Sequence, residues 1–146
     1  MKQPTRSFIV QQARSWLGVP YRHQGRNRLG VDCSGPLVAI AKDIGIEGVT
    51  DVLTYSRHPV TFALKQQMDK VLIPIDPKEI QPGDVCLFKM AQIPQHVAIV
   101  GNYKYGGLSL IHCYQKVGRM VEHRFAGVWW GRLAQAYRLP DIVEDM

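Results

Sequence analysis

The spacing of apolar residues changes near the middle of this 146-residue chain. In the first half, apolar side chains recur at helical intervals, which predicts helices over residues 5–17, from about Cys33 to Ile44, and from about Pro59 to Met68. From residue 80 onward, short apolar runs separated by turn residues predict strands instead. The strands are expected at residues 85–88, 96–100, 108–112, 120–123 and 134–139.

Helices followed by a run of strands indicate an α+β fold, in which N-terminal helices pack on a C-terminal antiparallel β-sheet. The chain shows no alternation of strands and helices, no internal repeat and no low-complexity tract. Its length and its 46% of hydrophobic residues fit a single globular domain covering residues 1–146. Residues 46–58 have no regular apolar period and are expected to be irregular.

Charge and hydropathy disfavour several classes of protein. No apolar run approaches the roughly 18 residues of a membrane-spanning helix, and the N-terminus lacks the apolar core of a secretory signal. We therefore expect no membrane partner and a cytoplasmic location as synthesised. The net charge of +6 suits an anionic partner, but the basic residues form no stripe, so nucleic-acid binding is not expected.

The three cysteines are informative through their spacing. Cys33, Cys86 and Cys113 are too far apart and too unevenly spaced for a disulfide framework or a CxxC zinc site, so no metal and no cofactor are expected. Cys86 and Cys113 fall within apolar strand patterns, where a thiol usually serves as a small buried hydrophobe. Cys33 lies in a different environment.

Cys33 stands between Asp32 and Ser34, where a loop meets the second predicted helix. The N–H groups and the positive dipole end of a helix N-terminus stabilise a thiolate, and they can also bind the oxyanion that forms on an attacked carbonyl. An inert buried thiol is the alternative, but the polar flanking residues, either of which can cap the helix, favour a nucleophile. Pro36 fits here only if the helix begins at or after Cys33, because proline removes a backbone donor.

Two histidines on neighbouring predicted strands can supply a general base and the group that orients it. A hairpin centred on Lys104 would place His96 and His112 directly opposite each other on one face, roughly 4.5–5.5 Å apart at Cβ. His96 is then the candidate base, and His112 the residue that fixes its tautomer. A core role for His112 is the alternative, and His123 is the second candidate for the orienting residue.

Several short motifs follow one another along the chain. They are Tyr21 with the glycine-bearing loop after it, Asp32-Cys33-Ser34-Gly35, Gln81-Pro82-Gly83-Asp84 and His96-Val97-Ala98-Ile99-Val100. In this order they resemble the NlpC/P60 family of cell-wall peptidases, and the resemblance extends over about residues 8–139. It implies a papain-like form of the α+β fold.

The resemblance also implies a catalytic set and a substrate. Cys33 is the implied nucleophile, His96 the implied base and His112 the implied third polar residue of a cysteine peptidase that needs no cofactor. The implied reaction is hydrolysis of amide bonds in the stem peptides of peptidoglycan. Peptidoglycan is therefore the expected partner.

Three further residues receive roles through the same resemblance. Tyr21 is implied to border the active site, and Asp32 and Ser34 to hold the free amino end of the stem peptide. The chain departs from the family pattern at Pro36, where a larger apolar residue is usual, and in a longer segment at residues 89–95. Both departures are expected to border the cleft and to bear on substrate specificity.

The stretches Ile111–Gln115, Val121–Arg124 and Tyr137–Pro140 look similar to the tail-associated peptidases of phages and gene transfer agents. This similarity implies phage tail proteins as partners, a place in a virion tail and action at the bacterial cell wall. Two alternatives stay open on the same fold: an acyltransferase, and a noncatalytic module that binds the tail or the wall. The complete catalytic set counts against the noncatalytic module.

Overall fold

The computed structural model describes residues 4–46 and 63–145 of the chain. The N-terminal part contains three helices and a short ribbon: α1 (Arg6–Arg14), β1 (Arg26–Asn27), β2 (Gly30–Val31), α2 (Gly35–Asp43) and α3 (Ala63–Val71). The C-terminal part contains six strands, a 3₁₀ turn (Pro77–Glu79) and a short helix: β3 (Ile73–Ile75), β4 (Val85–Met90), β5 (Ile93–Asn102), β6 (Leu108–Tyr114), β7 (Arg119–Arg124), α4 (Val128–Arg132) and β8 (Leu133–Arg138). Within these ranges no helix combines the length and apolar character needed to cross a membrane.

The six C-terminal strands form one sheet with the order β3-β8-β4-β5-β6-β7, and every neighbouring pair is antiparallel. The predicted α+β fold is confirmed, and each of the five predicted strands is present. β3, α4 and the β1–β2 ribbon are absent from the sequence prediction. Residues 47–58 of the segment expected to be irregular lie outside the described residues, as does Pro59.

Both faces of the sheet are buried, because side chains alternate along each strand and each face meets other elements. One face packs on α1, α2 and α3 and contributes Val85, Leu87, Val97, Ile99, Ile111, Cys113 and Tyr137 to the larger core. The opposite face, covered by Phe125 and Trp129, contributes Cys86, Phe88, Ala98, Val100, Leu110 and Ala136 to a second core. The sheet is therefore the central layer of the domain.

The first helix shows how local signals set its bounds. Thr5 caps α1, since its Oγ1 accepts a hydrogen bond from the N–H of Phe8 at 3.0 Å. After Arg14 the chain continues in tighter turns, in which the N–H of Leu17 bonds to the carbonyl of Arg14 at 3.1 Å. The α-helix is therefore shorter than the predicted span of residues 5–17.

The hairpin of β5 and β6 has a different register from the predicted one. Ile99 pairs with Ile111, so the hairpin is centred one residue later than Lys104. The prediction that His96 lies directly opposite His112 is therefore wrong.

Two glycines in the connecting turn explain the shift of register. Gly106 and Gly107 have φ values of +100° and +81°, a region that L side chains rarely adopt. The N–H of Gly106 bonds to the carbonyl of Tyr103, and the N–H of Tyr103 bonds to the carbonyl of Gly107, both at 2.9 Å. Moving the centre by one residue changes each partner by two positions, so the side chains of His96 and His112 stay on the same face.

Asp84, the last residue of the Gln81-Pro82-Gly83-Asp84 turn, is fully buried and carries two ion pairs. Its Oδ1 accepts a hydrogen bond from Nη1 of Arg6 at 2.9 Å, and its Oδ2 accepts one from Nη2 of Arg138 at 3.0 Å. Arg6 belongs to α1 and Arg138 to β8, so one carboxylate joins helix, turn and sheet. The two guanidinium groups offset the cost of removing this carboxylate from water.

Asp84→Ala should lower the free energy of unfolding by about 3 kcal/mol, because Arg6 is then left buried beside Arg138 without their shared counter-charge. Lys65→Ala is the matched control, since the Lys65–Asp69 pair lies on the exposed side of α3. Its loss should cost less than about 0.5 kcal/mol. Urea denaturation at pH 7, followed by circular dichroism, measures both changes, and equal losses would contradict the structural role of Asp84.

Candidate active site

One cleft brings together several of the residues singled out in the sequence. It has a volume of about 540 Å³ and is lined by Tyr21, Cys33, Met90, Ala91, Gln95, His96, Cys113, Tyr114, Gln115 and Lys116. The predicted nucleophile, the predicted base and the predicted bordering tyrosine therefore line the same cleft. Met90, Ala91 and Gln95 belong to the β4–β5 hairpin, so the segment at residues 89–95 borders the cleft as expected.

Cys33 lies immediately before Ser34, the N-cap residue of α2. Pro36 occupies the first turn of the helix, where a missing N–H costs no intrahelical bond, and this resolves the constraint seen in the sequence. Gly35 is required by close packing, because a Cβ at this position would lie 2.2 Å from Cγ2 of Val31. The thiol is thus fixed at the helix start by its neighbours on both sides.

Asp32 caps this helix start from a fully buried position. Its Oδ1 accepts hydrogen bonds from the backbone N–H groups of Ser34 at 3.1 Å and Gly35 at 2.9 Å, and from the hydroxyl of Ser34 at 3.2 Å. The guanidinium of Arg26 forms an ion pair with the same oxygen. Asp32 and Ser34 flank Cys33 but are buried and do not line the cleft, and their substrate-holding role stays a prediction.

The thiol of Cys33 faces the strand that carries the predicted base. Its Sγ lies 3.7 Å from the carbonyl oxygen of Gln95, the residue immediately before His96 in β5. This contact links the start of α2 to the start of the histidine strand. The loop-to-helix junction and the start of β5 therefore meet at the cleft.

The other two cysteines are buried, as predicted. Burial raises the pKa of the Cys86 thiol, and the nearby carboxylate of Asp84 raises it further. Burial also raises the pKa of Cys113 to about 12, with smaller contributions from Cys33 and Asp32. Cys113 lines the cleft, but its Sγ donates to the carbonyl of Val31 at 3.3 Å and stays protonated.

His96 and His112 are in direct contact despite the changed register. Nε2 of His96 lies 2.6 Å from Nδ1 of His112, and their ring centroids are 4.9 Å apart. Both side chains are buried, with 5% and 1% exposure. The structure thus joins the predicted base to the predicted orienting residue.

His123 continues this line of rings. Its Nε2 lies 2.8 Å from Nε2 of His112, and its Nδ1 lies 2.9 Å from the backbone carbonyl oxygen of Arg124. The two candidates for the orienting residue therefore occupy different positions in one chain of contacts: His112 contacts His96, and His123 contacts His112. In the part of the chain that the structure describes, no group of three or more His, Cys, Asp or Glu side chains is arranged to hold a metal ion.

Trp129, which no sequence pattern places in the site, covers all three histidines. Its ring centroid lies 5.8 Å from that of His96, 5.0 Å from that of His112 and 5.7 Å from that of His123. It is carried by α4, a helix of five residues that is too short to leave a periodic signal. Gly127 immediately before this helix is the one local signal of a change in chain direction.

Burial determines the protonation of the two inner histidines. It lowers the pKa of His96 well below the usual range, and the positive charge of Arg132 lowers it further. Burial likewise lowers the pKa of His112, with the neighbouring rings of His96 and His123 adding to the effect. Both imidazoles are therefore neutral near pH 7, the state in which a histidine can accept a proton.

Comparison with known proteins agrees with the motifs. The chain matches the model of the NlpC/P60 family over residues 18–138. It is 30% identical over 132 residues to the probable endopeptidase NlpC of Escherichia coli (strain K12), an alignment that covers 90% of this chain and 76% of that protein. It is 26% identical over 136 residues to the murein DD-endopeptidase MepS/murein LD-carboxypeptidase of the same strain, covering 92% of this chain and 63% of that one.

Solved structures with the same fold include members of this family. An NlpC/P60 family protein from Bacillus cereus superposes with a TM-score of 0.70 at 22% identity, over 94% of this chain but only 41% of that one. The NlpC/p60 domain of the peptidoglycan hydrolase SagA superposes with a TM-score of 0.63 at 21% identity, over 92% of this chain and 99% of that domain. At these identities the likeness shows the fold, which is that of an NlpC/P60 domain.

The family model covers both halves of the cleft, from the loop before the cysteine to the last strand of the sheet. The chain therefore belongs to the NlpC/P60 family.

Proposed function

We propose that this protein is a cysteine endopeptidase that hydrolyses amide bonds in the stem peptides of peptidoglycan. The main support is that Cys33, at a helix start, lines the same cleft as His96. The ring of His96 is in turn hydrogen-bonded to His112. The E. coli relatives support the reaction class, since one is named a probable endopeptidase and the other a murein DD-endopeptidase. SagA, whose domain has the same fold, is named a peptidoglycan hydrolase.

The reaction begins when His96 accepts the thiol proton of Cys33 and the thiolate attacks the carbonyl carbon of the amide. A C–S bond forms, and the backbone N–H of Cys33 is the donor expected to bind the oxyanion. His96 then gives its proton to the leaving amine as the C–N bond breaks. In the second half, His96 takes a proton from water, the hydroxide attacks the thioester carbon, and the thiol is released with a carboxylic acid product.

The rim of the cleft suits an acidic peptide. Lys116 offers an ammonium group and Gln115 an amide at the cleft lining, and both can bind the carboxylates of a stem peptide. Tyr21 and Tyr114 offer aromatic surface and a hydroxyl on the same lining. The Met90–Gln95 end of the β4–β5 hairpin closes one side, which makes it the segment expected to select among peptides.

For the biological setting, we propose synthesis in the cytoplasm and action at the bacterial cell wall as a component of a phage-derived tail. The similarity of the closing stretches to tail-associated peptidases supports this proposal. Mass spectrometry of purified virions or gene transfer particles from the source bacterium tests it, with the protein expected in proportion to tail proteins. Its absence from such particles would refute the setting and leave the peptidase reaction untouched.

Cys33→Ala should reduce the release of peptide fragments from purified peptidoglycan by at least about a thousandfold, because the nucleophile is lost. Cys86→Ala is the matched control, since Cys86 is a buried cysteine that does not line the cleft, and this variant should keep its activity. The measurement is mass spectrometry of the fragments at fixed time, with circular dichroism to show that each variant is folded. The masses of the fragments identify which amide bond is cut.

Three outcomes of this experiment count against the proposal. Equal release by the Cys33→Ala variant would remove the thiol from the mechanism. When an acceptor amine is added to the same assay, transfer of the acyl group to it with no hydrolysis would assign an acyltransferase instead. Binding of the folded parent protein to peptidoglycan without any fragment release would assign a noncatalytic module.

Acid should weaken the fold because the buried base must stay neutral. In the unfolded chain a histidine takes up a proton below about pH 6.5, whereas the pKa values of His96 and His112 are lowered in the folded protein. The unfolded state then binds more protons, so the free energy of unfolding falls as the pH decreases from 7 toward 5. Each histidine contributes a slope of up to about 1.4 kcal/mol per pH unit.

Urea denaturation at pH 7, 6 and 5 measures this dependence. The double variant His96→Gln/His112→Gln removes both titrating rings and should show a shallower fall of stability over the same range. An equally steep fall in the double variant would show that the acid sensitivity has another origin.

A further inference from the structure

Three adjacent strands each place one histidine on the same face of the sheet. His96 lies on β5, His112 on β6 and His123 on β7. In the β6–β7 ladder, His112 pairs with Val121 while Leu110 pairs with His123, so the two histidines lie diagonally across the ladder. The rings meet at 2.6 Å and 2.8 Å, and the line ends 2.9 Å from the carbonyl oxygen of Arg124.

The carbonyl at the end of the line dictates where each proton sits. A carbonyl oxygen only accepts hydrogen bonds, so Nδ1 of His123 carries a proton and, in the neutral ring, Nε2 carries a lone pair. Nε2 of His112 must then donate to that lone pair, which leaves the lone pair of His112 on Nδ1. Nε2 of His96 must donate in turn, and the lone pair of His96 is left on Nδ1.

Without His123, the pair of His96 and His112 has two proton arrangements that satisfy their shared hydrogen bond. In one, His96 donates from Nε2 and its Nδ1 is basic. In the other, His112 donates from Nδ1, and His96 carries its own proton on Nδ1, where it cannot act as the base. The contact with His123 distinguishes the two, because only the first leaves His112 with a proton to donate from Nε2.

The surroundings keep the two inner rings, those of His96 and His112, neutral, as this ordering requires. Trp129 packs on all three rings and His96 and His112 are almost fully buried, so little water is available to stabilise an imidazolium. The guanidinium of Arg132 lies over Trp129 at 5.2 Å and adds a positive charge near the site. The lowered pKa values of His96 and His112 agree with this arrangement.

We propose that His123 is a positioning residue which, held by the carbonyl of Arg124, acts through His112 to place the proton of His96 on Nε2 and leave Nδ1 as the base for the Cys33 thiol. This inference rests on the proposed peptidase function for its kinetic consequences. The proton order itself does not, since it follows from the three hydrogen bonds.

Nitrogen-15 NMR of the histidine side chains in the Cys33→Ala protein tests the proton order without any catalysis. At pH 7 we expect His96 protonated on Nε2, His112 on Nε2 and His123 on Nδ1. Protonation of His96 on Nδ1 would overturn the proposal, whatever the activity of the parent enzyme. A result that refutes the proton order can therefore be distinguished from one that refutes the peptidase function.

Three substitutions at position 123 test the consequence for activity. His123→Gln places an amide oxygen near the position of Nε2 and should keep kcat within about threefold of the parent. His123→Leu removes the acceptor, and His123→Asn ends one carbon short of His112, so both should lower kcat about tenfold with KM unchanged. In the Cys33→Ala background, the same two substitutions should produce a population of His96 protonated on Nδ1.

The pattern of rescue decides between positioning and simple packing. If His123→Gln is impaired as strongly as His123→Leu, or if the tautomer of His96 is the same in all variants, the proposal fails. Circular dichroism melting curves show which variants are folded. If His123→Leu does not fold, the His123→Gln kinetics and the NMR spectrum of the Cys33→Ala protein still decide the outcome.

Discussion

The alternation of side chains across one antiparallel sheet is the constraint on which the remaining structure depends. Residues on one face of β4 to β8 pack against α1, α2 and α3, while their neighbours on the other face form the second core beneath Trp129. Because the period is two residues, the histidines of β5, β6 and β7 fall on the second face together. Cys33, just before α2, and His96, near the start of β5, line the cleft that forms where the helix layer meets this strand.

The groups that stabilise the start of α2 also determine the charge around the thiol of Cys33. Asp32 satisfies the backbone N–H groups of Ser34 and Gly35, and Arg26 balances its charge. A buried carboxylate beside Cys33 raises the cost of a thiolate unless it is neutralised, and Arg26 provides that neutralisation. The same residues therefore cap the helix and set the electrostatic environment of Cys33, the proposed nucleophile, which explains the polar residues at the start of an otherwise apolar helix.

Local sequence patterns correctly predict the features that do not change when a predicted boundary or register is wrong by one or two residues. The start of α2 follows from a cap and an apolar period, and the shared face of His96 and His112 survives because the register error changes each partner by an even number of positions. The register itself depends on the backbone of Gly106 and Gly107, whose conformation no apolar pattern encodes. The position of Trp129 over the histidines and the contact of His123 with His112 depend on tertiary packing. Sequence spacing therefore identifies the histidines but not the order in which their rings contact one another.

A histidine in the orienting role proposed for His112 suits a site that is almost fully buried. A carboxylate in the place of His112 would be charged and buried against Trp129, and removing that charge from water costs several kcal/mol unless it is paired. A neutral imidazole carries no such cost, but it can hold its proton on either nitrogen, so neutrality brings an ambiguity that a carboxylate does not have. The carbonyl of Arg124 removes the ambiguity because it can only accept, and its constraint reaches His96 through two rings. The same face of the sheet therefore provides both the burial that stabilises the fold and the proton order that the proposed base requires.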